Sequence, residues 1–330
     1  MSTTRSSSTS RTRSPTRVIV VGAGWTGLAA AKTYLQINPT IQLTIIDSCP
    51  SIGGVWSSTN IYPGLIADSC AAVFDYSDMP MHEELGIDKW ADLPAEKICE
   101  YLERYAEKCG LSERCKLNTK VVKAEKRTEG GWKVEIETKK DFEEYTVREV
   151  LECDKLIVAT GVTSSPNMPE DLDWKEFEGP VMHSKEVGEK HKQLTADKVK
   201  RVTVVGGSKS AVDVVNMCAL AGKEVDWVIR EEGYGPLIMA PPRTHGIHAG
   251  AIKNIRATTL ALPNIHITDG MFYNFLLSGK SKMGSKLVKY ALEKGSKSAI
   301  KSVYGKNENT MKIAPDMKKY VFKFPLVRIL

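Results

Sequence analysis

Two stretches of the sequence share one construction: RVIVVGAGWTGLAAAKTYL at residues 17–35 and RVTVVGGSKSAVDVVNMCAL at residues 201–220. Each runs from a short apolar segment through a glycine-rich turn into a segment with helical periodicity. The apolar run at 17–21 reads as a buried strand. The first copy predicts a strand at 17–21, a helix at 28–37 halted before Asn38 and Pro39, and a strand at 41–46 that ends at Asp47. The second predicts a strand at 202–205, a helix at about 210–221 and a strand at 225–229. Two β-α-β units of this kind restrict the chain to an α/β fold.

The turns say what such units hold. Gly22, Gly24 and Gly27 form G-x-G-x-x-G. The first glycine permits the tight turn, the second lets backbone approach a pyrophosphate, and the third lets helix pack on strand. The helix N-terminus then offers N–H groups and partial positive charge to the phosphate. Asp47, twenty residues beyond Gly27, stands at a strand end, where a carboxylate accepts hydrogen bonds from a ribose diol. The second turn reads Gly206, Gly207, Ser208, Lys209, Ser210, Ala211. Ala211 at the third position still allows close packing. Ser208 replaces the second glycine; its hydroxyl suits a phosphate, and Lys209 adds charge. No acid ends the next strand. Arg230 stands there instead, and a cation at that place suits a 2′-phosphate, hence NADPH. Glu231 and Glu232 follow and oppose that charge. The competing reading makes Arg230 a surface residue and the second unit a non-binding relic. The fold expected is α/β, with two Rossmann-like dinucleotide-binding domains, one for FAD and one for NADP.

Between the two units, a helix is expected at 94–109, opened by Pro94 and closed by Gly110, with Ile98, Leu102 and Tyr105 on one face. Two β-rich runs flank the turn signal TEGG at 128–131, which predicts a β-meander insertion. The expected layout is a disordered tail at 1–16, an FAD-binding domain at 17–165, an NADP-binding domain at 166–265 and a helical, basic segment at 266–330. The tail is rich in Ser, Thr and Arg without acids, a composition shared by disordered segments and transit peptides. Residues 271–330 carry twelve Lys and one Arg against three acids, in a chain whose net charge is +6. That balance reads as a solvated helical face, or as weak contact with a membrane surface. Aromatic interleaving is sparse there, which argues against nucleic acid. The seven cysteines are odd in number and none stand in C-x-x-C spacing, so a reduced, cytoplasmic protein without a metal site is expected, membrane-associated or organellar placement remaining open.

GAGWTGL, then GGVW at 53–56, YPGL at 62–65 and ATG at 159–161 resemble the class B flavin monooxygenases, which comprise flavin-containing and Baeyer–Villiger enzymes. The similarity is greatest to fungal FAD-dependent enzymes of secondary metabolism. It runs over roughly 17–250, with VVGGSKSAVD and WVIREEGYGP included. The resemblance implies an FAD-dependent, NADPH-using monooxygenase that acts on a small organic substrate with O2 through a C4a-peroxyflavin. It implies flavin contacts at Gly54, Trp56, Ala159 and Gly161, and a backbone contact to adenine at Thr119 and Val121. It places an active-site carboxylate at Asp68, for which an ordinary loop carboxylate is the equal alternative. It makes Phe177, Gly179 and His183 the F-x-G-x-x-x-H linker signature. Val187 stands four residues after His183, where Baeyer–Villiger enzymes carry an aromatic, so oxidation at nitrogen, sulfur or carbon stays open. Family members usually continue beyond this length and return to finish the FAD domain. Either 300–330 makes that return, or the chain is a shortened remnant, non-catalytic or behaving as an uncoupled NADPH oxidase. A pyridine nucleotide–disulfide oxidoreductase is the lesser rival, since GGVWSSTNIYPG holds no redox cysteine pair.

Overall fold

The computed structural model describes residues 15–139, 146–163, 165–169, 176–230 and 281–305, with 236, 243–244, 247–248, 275, 307–312 and 314. Most of the expected N-terminal tail, the pair Glu231 and Glu232, and the stretch from 315 onward lie outside the described residues. By internal contacts the chain divides into two compact units: Met1–Thr59 with Leu102–Pro166, and Asn60–Tyr101 with Asn167–Leu330. The excursion at Asn60–Tyr101 was not legible in the sequence: this stretch, expected with the first unit, packs with the second.

In the first unit, β1 (Arg17–Val21), α1 (Trp25–Ile37) and β2 (Gln42–Ile46) form the first β-α-β unit. With β3 (Cys115–Lys116) and β7 (Lys155–Val158) they build a parallel sheet of order β3-β2-β1-β7. Val18 lies opposite Leu43, and Val20 opposite Ile157. Val18, Ile19 and Val20 are at most 4% exposed, which is why β1 reads as an unbroken apolar run. α1 begins three residues earlier than its apolar periodicity suggests, because the glycine turn itself supplies the first helical turn. β4 (Thr119–Lys126), β5 (Trp132–Lys139) and β6 (Thr146–Cys153) form the antiparallel meander. Its inner residues Val134, Ile136 and Cys153 share a core with Ile19 and Ile46 of the parallel sheet.

In the second unit, β8 (Arg201–Val205) and β9 (Glu224–Val228) pair in parallel, Val202 with Val225 and Val204 with Trp227, and α5 (Lys209–Leu220) connects them. α4 (Val187–Thr195) precedes them. Val187, Leu194, Val202, Val204, Val214 and Met217 form the core of this unit, and Tyr62 from the excursion joins it. The excursion carries α2 (Met81–Leu85) and opens α3 (Ala95–Lys108), the helix expected at 94–109. A two-residue pair follows, β10 (Arg243–Thr244) against β11 (Ile247–His248), and then the long, Lys-rich α6 (Lys282–Tyr304). No described helix is long and apolar enough to cross a membrane.

Candidate functional site

The first glycine turn is wedged between strand ends and helix. Gly22 has φ +111°, and a Cβ there would stand 2.3 Å from the Ala159 carbonyl oxygen. A Cβ on Gly27 would stand 1.8 Å from the Gly22 carbonyl oxygen, so α1 lies directly on the turn. Ala159 donates its N–H to Val21 (2.8 Å), and Gly22 to Ile46 (2.8 Å), which brings the ATG segment with Gly161 beside the turn. Gly24 faces a second glycine loop. Its hypothetical Cβ would lie 3.5 Å from Gly54 Cα, and Gly53 donates its N–H to Ala23 O at 3.0 Å. Gly54–Trp56 is a single 3-10 turn, with Trp56 half-buried.

Asp47 lies against this turn. Its Oδ2 accepts the Ala23 N–H at 2.7 Å and its Oδ1 the Cys49 N–H at 2.8 Å. A carboxylate oxygen takes two donors, so each keeps room for another. Thr119, buried at the start of β4, donates its N–H to the Asp47 carbonyl (2.8 Å), and its hydroxyl to Leu117 O (2.8 Å). The Thr119 N–H is therefore directed at Asp47. Val121 pairs with Ile136 and packs on the core of the sheet. Burial, reinforced by the nearby Asp47 charge, pushes the Cys115 thiol up to about 11. The α1 N-terminus has Gly24 as its cap, no side-chain cap and no acid in its first turn. By contrast, α2, α3 and α4 carry Glu83 with Glu84, Glu96 and Glu189 there.

The second turn repeats part of this. Gly206 has φ +131°; its N–H goes to Val228 O (2.9 Å) and its carbonyl accepts the Trp227 indole N–H (2.7 Å). A Cβ built on Gly206 would be 3.8 Å from the Ala211 methyl, an ordinary contact. α5 also starts without an acid in its first turn, and its cap Ser208 makes no side-chain cap bond. Ser208 and Ser210 are exposed, and Arg230 is exposed two residues past the end of β9. Lys209, expected to add charge at the second turn, is bonded within the protein. Its ammonium donates to Asp213 Oδ2 (2.5 Å) and to the Ile66 carbonyl (2.6 Å), because a buried carboxylate one turn along the helix is its nearest anion. Asp213 was not singled out from the sequence; the i, i+4 Lys–Asp spacing on a helix was the available signal.

Asp68 is exposed and accepts the Ser69 hydroxyl at 3.3 Å. His183 caps the start of the 3-10 turn Ser184–Glu186 that leads into α4. Its Nδ1 accepts the Lys185 N–H (3.1 Å), and its own N–H goes to the Glu186 carboxylate (2.8 Å). The Phe177 ring lies on Gly179, where a Cβ would come within 2.6 Å of it. Val187 is 2% exposed, so the position of the signature aromatic is a core position here. Among the described residues no group of His, Cys, Asp and Glu is arranged to hold a metal ion, and all seven cysteines are free thiols.

Parallel strands feeding glycine turns, with helices returning and an antiparallel meander beside them, define a mixed α/β protein of the nucleotide-binding kind. The chain belongs to the flavin-binding monooxygenase-like family, which matches residues 15–264. It is 43% identical over 251 residues to an FAD-dependent monooxygenase of Pyrenophora dematioidea, an alignment covering 75% of this chain and 45% of that one. It is 37% identical over 304 residues to an FAD-dependent monooxygenase of Fusarium langsethiae, covering 90% of this chain and 50% of that one. A crystal structure of OTEMO in complex with FAD and NADP superposes with a TM-score of 0.52 at 25% identity, covering 66% of this chain and 39% of that one. The chain thus spans about half the length of the curated relatives it matches.

Proposed function

We propose that the first unit holds FAD, that the second takes NADPH, and that the whole protein transfers one oxygen atom of O2 to a small organic substrate of secondary-metabolite type. One observation carries the reading: the Asp47 carboxylate lies 2.7 Å from the Ala23 N–H, at the acid-free N-terminus of α1. An acceptor for a ribose diol and a donor set for a pyrophosphate thus sit on one turn, which is the donor set FAD requires. Gly24 and Gly54 leave backbone, without side chains, on either side of that turn. Trp56, half-buried on the adjoining 3-10 turn, is the residue assigned to the flavin ring. In the second unit, the α5 N-terminus orients the nicotinamide nucleotide, and exposed Arg230 takes its 2′-phosphate. Bound flavin, reduced by NADPH, supplies the electron pair with which one oxygen atom enters the substrate and the other leaves as water.

The test begins with colour. The purified chain, loaded with FAD, should absorb near 450 nm, and Gly24→Val, whose branched side chain occupies the approach to the turn, should come out colourless. A yellow Gly24→Val protein with parental flavin content, or a parent that takes up no FAD, would overturn the assignment.

A further inference from the structure

Lys209 is the first residue of α5, at the mouth of the second glycine turn, and it does not point its charge outward. Two of its three ammonium protons go to Asp213 Oδ2 (2.5 Å) and the Ile66 carbonyl (2.6 Å). Asp213 is 7% exposed, so it is a buried carboxylate with a cation placed on it. The segment 62–68 is tied from its other side as well. Ala67 donates its N–H to Leu93 O (2.8 Å), and Ala95, the first residue of α3, donates to Leu65 O (2.9 Å). Tyr62 is buried in the same core cluster as Ala211, Val214 and Cys218 of α5. Asp68 follows Ile66 by two residues, and its charge reaches Asp213. Burial raises the Asp213 carboxyl first, Lys209 opposes that, and Asp68 adds to it.

We propose that the Lys209–Asp213 ion pair is a clamp that positions segment 62–68, and with it the Asp68 carboxylate, against the entry of α5, so that Lys209 is a positioning residue and not the phosphate contact of the second turn. The proposal deepens the NADPH reading of the second unit and rests on it. Its physical basis is an asymmetry. Removing one partner of a buried pair strands a charge, whereas removing both leaves nothing stranded.

The experiment compares the flavin-loaded parent with Lys209→Met and with Lys209→Met/Asp213→Asn. The clamp predicts that Lys209→Met lowers the unfolding midpoint by about 4 °C or more and that the double variant regains most of it. It predicts NADPH consumption about tenfold slower in Lys209→Met and no faster in the double variant, because both lack the bond to the Ile66 carbonyl. The ratio of NADPH to NADH dissociation constants stays within about twofold of the parent's. Three results overturn it: NADPH binding weakened about tenfold with NADH binding unchanged, which makes Lys209 a phosphate contact; midpoints lowered equally in the single and double variants, which means no coupling; or a shifted midpoint with an unchanged rate, which makes the pair merely structural. A parent that binds neither nucleotide refutes the NADPH reading instead, and the midpoints of the two variants then still decide whether the pair is coupled.

Discussion

At the residue scale, Asp47 has two tasks at once. It closes the glycine turn through Ala23 and Cys49, and it presents acceptor positions beside that turn. Its charge, added to burial, also holds the Cys115 thiol protonated, with its value up at about 11. The sign follows directly. A raised acid binds its proton more tightly in the native state than in the unfolded one, where a thiol titrates at about 8.5. This group's contribution is therefore constant below that value and is lost as pH rises from there toward about 11. Two outcomes are expected. Cys115 should alkylate at pH 8 about two hundredfold more slowly than an ordinary exposed thiol, because the thiolate fraction falls by that factor. Cys115→Ala should flatten the alkaline limb of a stability-versus-pH profile. Alkylation at the rate of a free thiol, read by mass spectrometry of the peptide that holds Cys115, would contradict the buried environment described.

At the element scale, α4 illustrates how a motif residue acts through its backbone surroundings. Two N–H groups at this entry are satisfied by side chains, the Lys185 N–H by the His183 imidazole and the His183 N–H by the Glu186 carboxylate. Helix N-termini leave several N–H groups without intrahelical partners, so such a reciprocal cap stabilises the entry. It orients the next residue too: Val187 enters the core, 2% exposed. His183→Ala should cost about 1 kcal/mol of stability, and His183→Asn, which keeps an acceptor at the cap, only a few tenths. Urea denaturation of both variants measures this. Equal losses would mean that the imidazole matters for something other than the cap. α3 shows the same economy at its end. Gly110 has φ +62°, and Leu111, fully buried, sends its N–H back to Ala106 O at 2.8 Å, a helix stop that only a residue free to adopt the left-handed region makes cheaply.

At the scale of the whole molecule, the two β-α-β units differ at the end of the second strand, Asp47 in one and Arg230 in the other, and the proposed division of labour rests on that difference. Arg230→Ala should weaken NADPH binding about tenfold, since a charge-assisted phosphate contact contributes about 1.5–3 kcal/mol, and should leave NADH binding and flavin content at parental levels. Titration of each nucleotide into the flavin-loaded protein checks this. Equal weakening of both would make Arg230 structural, and loss of flavin would mean that the two units are not separate in what they bind.

Local chemistry alone determined a good deal of this protein. β1 and β8 were legible because short, mostly apolar runs ahead of a glycine turn have few other uses. The meander was legible from TEGG, whose Gly130 and Gly131 both have positive φ. The demands on Gly22 and Gly27 were legible because a tight turn and a close helix crossing exclude a side chain whatever the rest of the chain does. Tertiary structure decided what depends on partners distant in sequence. Segment 60–101 reads as a continuation of the first unit, yet its Tyr62 and Ile66 find their partners on α5, more than 140 residues later. The Thr119 N–H goes to the Asp47 carbonyl, a partner that no local pattern names. Lys209 is the plainest case. Beside a glycine turn its charge reads as available to a phosphate, and only the folded chain brings the buried Asp213 carboxylate and the Ile66 carbonyl together on its ammonium.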